Sequence, residues 1–241
     1  CTPWESVFRY KKTNETIWNY VQEYSNPMIY YLQTIEPSSS YHYQAYAIVD
    51  VDTLLGELVN FQTPCIPTSV PFEENFNSTS LPICWTNSSS NSFDFVSYGS
   101  NPTTTPFEGS GMARFAGYSY GSGAVGYLAT PEFDNLTEGM EVKFWFYRQN
   151  YNTSYTNGAL RVYANDANNN VGATLLTTIQ RVYFHTPAEE APGWYQYTVT
   201  IPAGYFTHII FEATSDWYGN MFLDAVSIDY PSSCPAPPYS S

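Results

Sequence analysis

The chain has 241 residues, and 43% of them are apolar, which is enough for one large or two smaller cores and excludes general disorder. Only 12% are charged, and the formal net charge of −14 disfavours binding to a nucleic acid backbone. No apolar run is long enough to cross a membrane as a helix. The high share of aromatic residues, 18% with 23 tyrosines, favours strands and exposed loops. We therefore expect a secreted, extracellular or cell-surface protein.

The first 65 residues predict a series of short strands. Apolar residues recur at every second position, and clusters of Pro, Asn and Ser separate the runs. The predicted strands cover residues 7–12, 17–24, 28–35, 41–50 and 58–63. No convincing helical period occurs, so this region is predicted to be all-β.

A short Pro-containing linker, residues 66–71, leads into a second region, residues 72–230, that predicts one larger β-sandwich. Its predicted strands cover residues 72–76, 81–85, 93–95, 111–115, 128–133, 140–147, 160–163, 194–201, 208–213 and 221–229. In the last of these, strict alternation places Asp224 on the same side as Phe222, Val226 and Ile228. An acid on a core face has to be hydrogen-bonded, paired or metal-bound.

The stretch from Leu32 to Tyr41 contains an apolar residue, then Pro37, then Tyr41. It resembles the E–F corner of a fibronectin type III domain, in which the tyrosine hydroxyl ties its strand to the preceding turn. The ending at residues 56–64 resembles the G strand of that family. The resemblance covers residues 4–64 but lacks the first two strands of the family, A and B. It implies that residues 1–65 form an incomplete type III sandwich with an open edge.

The C-terminal residues 231–241 are rich in proline. This segment resembles the start of the A strand of another type III domain. Our leading hypothesis is that this tail of one copy completes the first domain of the next by strand addition, which would build a head-to-tail homopolymer or extracellular filament. The alternative is that the chain is a piece of a longer tandem polypeptide. The candidate partner-binding residues are Cys234, Pro235, Ala236, Pro237, Pro238 and Tyr239.

Three motifs of the second region carry another resemblance: Phe-Glu-Glu-Asn-Phe at 72–76, Leu-Pro-x-Cys-Trp at 81–85 and the closing run 222–228. They resemble jelly-roll domains of the cleaved-adhesin and choice-of-anchor type and, more distantly, the MAM adhesion domain. The resemblance implies a structural Ca²⁺ held by Glu74 and Asp224. Ala225, however, stands where that family often has a second acid. The alternative for Asp224 is to accept backbone N–H bonds at a bulge or to pair with an arginine.

The four cysteines are widely spaced, show no zinc signature and favour structural disulfides in an oxidising compartment. Spacing alone leaves three pairings open. The type III resemblance implies that Cys65 pairs with Cys234, which leaves Cys1 and Cys84 for each other.

Two motifs that look catalytic overlap in one loop. Residues 117–121 match G-x-S-x-G, and residues 121–126 match G-x-G-x-x-G. Both motifs require a helix directly after them. Pro131 follows within a few residues and leaves no room for one. The three histidines lie on separate predicted elements. We therefore predict a protein that is not an enzyme.

Two features of the sequence point to glycans, either attached to the chain or bound by it. Sequons, which are candidate glycosylation sites, occur at Asn14, Asn77, Asn87, Asn135 and Asn152. The candidate sugar-stacking residues are the loop aromatics Tyr118, Tyr120, Tyr151, Tyr155, Trp217 and Tyr218. A second hypothesis is therefore a carbohydrate-binding accessory region of a larger secreted hydrolase.

Overall fold

The computed structural model describes residues 5–22, 30–32, 35–49, 52–150 and 158–231. Its regular structure is almost entirely antiparallel strand, which confirms the all-β prediction. The chain divides into two compact units, residues 1–66 and residues 67–241. Among the described residues, no helix is long and apolar enough to span a membrane.

Unit 1 contains a four-stranded antiparallel sheet with the order β2-β1-β3-β4. Its strands are β1 Glu5–Lys12, β2 Asn19–Gln22, β3 Ser40–Val49 and β4 Asp52–Gln62. Each corresponds to a predicted strand, and β4 begins earlier than predicted. The predicted strand at 28–35 has no counterpart among its described residues, 30–32 and 35. No second sheet belongs to the part of unit 1 that the structure describes.

Tyr41 ties β3 to the turn before it. Its hydroxyl accepts a hydrogen bond from the backbone N–H of Glu36 at 2.9 Å. Its ring is buried and stacks on Phe61, with 5.5 Å between the ring centroids. This is the contact that the type III resemblance implied for this tyrosine, while the family assignment itself stays a prediction.

Unit 2 is a sandwich of two antiparallel sheets. One has the order β13-β10-β15-β8-β7, with β5 also paired to β15, and the other has the order β12-β11-β14-β9-β6. The strands are β5 Phe72–Glu74, β6 Thr86–Asn87, β7 Phe93–Val96, β8 Met112–Phe115, β9 Val125–Ala129, β10 Glu141–Arg148, β11 Ala159–Asn165, β12 Thr174–Gln180, β13 Gly193–Thr200, β14 His208–Thr214 and β15 Met221–Asp229. A single helical turn, α1 Gly117–Tyr120, lies between β8 and β9.

The core of unit 2 lies between the inner faces of its two sheets. β10 shows the principle most clearly, since its burial alternates along all eight residues. Phe144 from β10 and Phe211 from β14 meet edge to face across the sandwich, 5.3 Å between their centroids. Full burial of one such side chain contributes roughly 1.5–3 kcal/mol.

A bulge in β15 corrects the predicted alternation. Asp224 lies opposite Trp145, whereas Ser227 lies opposite Lys143, so β15 has one residue more than β10 in this interval. Ala225 takes up the extra residue with a left-handed φ of 46°. As a result, Val226 joins the core, and Asp224 lies on the other face.

One further strand prediction was wrong, and one strand was missed. Residues 81–85, predicted as a strand, form a turn, and only β6 follows it. β12 was not predicted at all. It is an edge strand in which Leu175 is exposed and Leu176 is partly buried, so its pattern carries little apolar alternation.

The cysteine pairing also differs from the implied one. Cys65 forms a disulfide with Cys84, so the expected pairings of Cys65 with Cys234 and of Cys1 with Cys84 were wrong. The bonded cysteines are close in sequence, with a short linker and a turn between them. In the implied pairing, by contrast, the whole second region would separate Cys65 from Cys234 along the chain. Cys1 and Cys234 lie outside the described residues.

Candidate functional sites

One face of the unit 1 sheet is rich in aromatic side chains. Tyr10 of β1 lies opposite Tyr43 of β3, and Tyr43 lies opposite Val59 of β4. A cavity of about 370 Å³ opens on this face. Its lining is mostly apolar and consists of Phe8, Arg9, Tyr10, Tyr30, Leu32, Tyr43 and Phe61.

The β4 edge of the same sheet is open. β4 is the terminal strand and pairs only with β3 within the described residues. Its first seven residues are all exposed, among them Leu54 and Leu55, which are 57% and 55% exposed. An exposed edge strand presents unpaired N–H and C=O groups that can pair with another chain.

In unit 2, two exposed aromatic residues, Trp217 and Tyr118, lie on segments that meet at one end of the sandwich. Trp217, in the loop between β14 and β15, is 59% exposed, and Tyr118, in α1, is 50% exposed. Tyr98 is exposed on the loop after β7. Of the other aromatics predicted to stack on sugars, Tyr120 packs on Phe115 and Tyr218 is partly buried. Tyr151 and Tyr155 lie outside the described residues.

A buried asparagine, Asn220, holds these loops together. Its side-chain oxygen accepts a hydrogen bond from Tyr118 N–H at 3.1 Å, and its side-chain nitrogen donates to the Ser100 carbonyl at 2.8 Å. Its backbone N–H donates to the Asn101 carbonyl at 2.6 Å, and its own carbonyl accepts from the Gln149 amide at 2.9 Å. A single residue therefore fixes the loop after β7, the α1 turn and the end of β10 to the loop that carries Trp217.

A buried ion pair lies next to Asn220. Arg181 donates to Asp216 at 2.8 Å, and both side chains are almost inaccessible to water. The Asp216 carboxylate also accepts from Gly158 N–H at 3.2 Å. A Cβ at Gly219 would lie 2.4 Å from Gln149 Oε1 and 3.1 Å from Arg181 Nη1, so a larger residue here would displace these side chains. The base of the Trp217 loop is thus closely packed and polar.

Asp224 is fully buried, yet it accepts three backbone hydrogen bonds. Its Oδ2 accepts from Phe107 N–H at 2.8 Å and Glu108 N–H at 3.1 Å, and its Oδ1 accepts from Ala225 N–H at 2.8 Å. Burial raises the pKa of this carboxyl to about 6, although the three N–H groups act in the opposite direction. Of the alternatives for Asp224, the structure shows backbone N–H acceptance at a bulge.

Glu74, the other candidate calcium ligand, lies on β5 opposite Val226 of β15. Its carboxylate accepts the Phe76 N–H at 2.7 Å, and burial raises its pKa. Among the described residues, no group gathers three or more side chains of the kinds that ligate metals. Because the oxygens of Asp224 already face amide hydrogens, this pair fits a Ca²⁺ ligand set poorly. Calcium at Glu74 and Asp224 stays a prediction.

The two motifs that look catalytic lie in and after α1. The helical turn covers Gly117–Tyr120 and ends before the second motif begins, so neither motif is followed by the helix that its chemistry requires. Gly121 and Gly123 have left-handed φ angles of 90° and 80°, which a loop can adopt and an α-helix cannot.

The sequons differ in their surroundings. Asn14, Asn77 and Asn135 are exposed, whereas Asn152 lies outside the described residues. Asn87 is partly buried, and its amide nitrogen donates to the Phe93 carbonyl at 2.6 Å. That amide nitrogen is the atom that a glycan would modify, so Asn87 is the least suitable acceptor of the four described.

Sequence reasoning found the exposed aromatics but missed the residues that position them. The sequence gives no direct sign of the roles of Asn220, Asp216 and Arg181, since their partners are far away in sequence. The available signal was the run from Asp216 to Asn220, in which two polar turn residues flank the pair Trp217 and Tyr218.

No protein-family model and no curated protein matches this sequence. Among solved structures, the chain is similar to the K1 and K3 cleaved adhesin domains of Lys-gingipain from Porphyromonas gingivalis W83. The matches cover 67% and 66% of this chain and 98% of each adhesin domain. Their sequence identities are 19% and 23%, and both TM-scores are 0.47. A structure of TmCBM61 in complex with β-1,4-galactotriose is similar to 65% of the chain, with 94% of that structure covered, 12% identity and a TM-score of 0.44. The likeness is loose in every case.

Proposed function

We propose that the chain is a non-catalytic extracellular protein whose unit 1 accepts an extended segment from another copy. The observation that carries this proposal is the combination, within the described residues, of a partly exposed aromatic face with a cavity and an open β4 edge in one small sheet. Apolar surface left in water is unfavourable, so an added segment that buries part of this face would stabilise the sheet. The donor is the Pro-rich tail, residues 231–241, of a second copy, which produces head-to-tail assembly.

The proline spacing of the tail supports strand addition. Pro231, Pro235 and Pro237 lie an even number of positions apart, so in an extended strand all three would face the same edge. If that edge points away from the acceptor, the lack of a proline N–H costs no hydrogen bond to β4. The residues between them, Ser232, Cys234 and Ala236, would then offer N–H and C=O groups to β4. β4 has eleven residues, long enough for this seven-residue segment.

The test is a titration of a labelled peptide that covers residues 230–241, with Cys234→Ser, against a chain shortened to residue 231. We expect saturable binding and, for the full chain, concentration-dependent polymers in negative-stain microscopy. The peptide with Ala236→Pro should fail to bind, because that proline removes an N–H on the pairing side. The peptide with Ser233→Pro is the matched control and should still bind. Equal binding of both proline peptides, or none by the parent peptide, would contradict strand addition.

A second candidate function, glycan binding by unit 2, is supported by a different observation. The rings of Trp217 and Tyr118 are about half exposed on loops that Asn220 holds in place. Aromatic faces held open to solvent can stack on the apolar face of a sugar ring. Unit 2 would then be an adhesive domain or a carbohydrate-binding accessory region of a larger secreted hydrolase. Retention on polysaccharide columns tests this function independently of assembly.

A further inference from the structure

Trp217 is energetically unfavourable for folding in two respects. Its indole is 59% exposed, and its backbone has a φ of 76°, a left-handed conformation that is uncommon for any residue with a bulky side chain. Strained residues of this kind persist where surrounding contacts fix them, and they cluster at binding sites. Here the Trp217 N–H donates to Ser215 Oγ at 2.9 Å, and the Ser215 hydroxyl donates to the Gly117 carbonyl at 2.7 Å. These two hydrogen bonds therefore fix the strained backbone of Trp217, while its apolar side chain stays in solvent.

Exposed polar side chains lie on the segments that are joined to the Trp217 loop. Ser100, Asn101 and Ser119 are exposed, and each lies on a segment that Asn220 joins to the Trp217 loop, either directly or through Tyr118. Their hydroxyl and amide groups can donate and accept hydrogen bonds without carrying charge. A loop surface that combines a flat apolar ring with such groups matches a sugar, which has an apolar C–H face and a rim of hydroxyls.

The charges of unit 2 restrict which glycans fit. The unit has five basic residues, and each is within ion-pair distance of an acid. The pairs are Arg114–Asp94, Lys143–Glu141, Arg148–Glu189, Arg161–Glu212 and Arg181–Asp216. No lysine or arginine of unit 2 is therefore left to bind a sulfate or uronate group, and the net charge of the whole chain repels both.

We infer that the loop surface around Trp217 and Tyr118 binds uncharged glycans, with Trp217 as the principal stacking residue and Tyr118 as the second. This inference rests on the proposed glycan-binding function and adds the site and the class of ligand. This loop surface and the β13–β14 loop lie at opposite ends of the sandwich, because the β14–β15 loop, which carries Trp217, and the β13–β14 loop adjoin opposite ends of β14.

The test is binding of the full chain to an array that carries neutral oligosaccharides alongside sulfated and uronic-acid oligosaccharides. We expect binding to neutral glycans alone. Trp217→Ala should weaken it at least tenfold, and Tyr118→Ala at least threefold. Tyr205→Ala is the matched control, because Tyr205 is a 69% exposed tyrosine in the β13–β14 loop, and it should bind like the parent.

Trp217→Gly separates binding from folding. Glycine relieves the left-handed strain and removes an exposed apolar ring, so the melting temperature should stay the same or rise while glycan binding is lost. A lower melting temperature would assign Trp217 a structural role and overturn the inference. Neutral-glycan binding that survives both Trp217→Ala and Tyr118→Ala would leave the glycan function standing but place it elsewhere. Binding to acidic glycans alone would overturn the ligand class, and no binding to any glycan would remove the glycan function itself.

Discussion

The carboxylate of Asp224 accepts the backbone N–H of Phe107 at 2.8 Å, although the two residues are 117 positions apart. This hydrogen bond fixes the segment after β7 to the bulge of β15. The Phe107 ring in turn stacks on Trp145 of β10, with centroids 3.6 Å apart. The segment therefore covers the carboxylate, and the covering explains the raised pKa of Asp224.

The raised pKa of Asp224 predicts a pH-dependent stability. Because the folded carboxyl holds its proton up to about pH 6, whereas an unfolded one loses it near 3.8, the free energy of unfolding should fall as the pH rises through this window. The full fall, from a pH below 3.8 to a pH above 6, amounts to about 3 kcal/mol of unfolding free energy. Asp224→Asn cannot ionise and removes this contribution. It also places an amide NH₂ against a backbone N–H, at a cost of about 1–3 kcal/mol at every pH.

The measurement is urea unfolding of parent and variant between pH 4 and pH 7. The stability difference should shift by about 2.5 kcal/mol in favour of Asp224→Asn over that range, because a small part of the loss already occurs below pH 4. The variant would thus be less stable at pH 4 and close to the parent at pH 7. A difference that stays constant with pH would show that Asp224 does not titrate in this window.

The buried pair of Arg181 and Asp216 predicts an asymmetric response to mutation. Asp216→Ala leaves a guanidinium buried with no counter-charge, which costs about 3–5 kcal/mol. The partly exposed pair of Arg114 and Asp94 provides the control, because water reaches both side chains and Asp94→Ala should cost no more than about 1 kcal/mol. Thermal unfolding of both variants checks the contrast, and similar losses would mean that burial does not distinguish the two pairs.

Much of the fold follows from local pattern, as β10 shows. Its residues alternate between partly exposed and buried along the whole strand, and the polar–apolar alternation from Glu141 to Phe144 predicts this half-buried pattern. β12 could not be found in this way, because its two leucines are adjacent and it lies at a sheet edge. The bulge at Ala225 was also invisible, since a single inserted residue leaves no mark on a short apolar run.

The site was predictable only in its exposed part. Turn residues around Trp217 indicate a loop, and an aromatic residue in a loop suggests binding. The role of Asn220 depends on Ser100 and Tyr118, which are more than 100 positions away, and no sequence period connects them. The cysteine pairing failed for a related reason: the type III resemblance concerns the borders of a domain, whereas Cys65 and Cys84 are joined across a short linker.

The disulfide between Cys65 and Cys84 predicts a loss of stability on its removal. It closes a loop of moderate length, and such loops contribute about 3 kcal/mol by restricting the unfolded chain. The double variant Cys65→Ser/Cys84→Ser should therefore unfold at lower urea concentration. Peptide mapping of unreduced protein should recover these two cysteines in one linked fragment. Recovery of either one linked to Cys1 or Cys234 would contradict the assigned pairing.

The open edge of unit 1 predicts that charge on β4 will block assembly. Leu54→Lys/Leu55→Lys places two cations on the terminal strand, where lysine is known to oppose edge-to-edge pairing because its burial by an incoming strand requires desolvation. Assembly of the full chain, followed by light scattering and microscopy, should fall at least tenfold. Leu175→Lys is the control, because Leu175 is a 52% exposed leucine on β12, an edge strand of unit 2. If Leu175→Lys lowers assembly as much as the β4 variant does, then association depends on general surface hydrophobicity. If neither variant alters it, the contact between copies does not involve the β4 edge, and the donor tail would have to bind another surface.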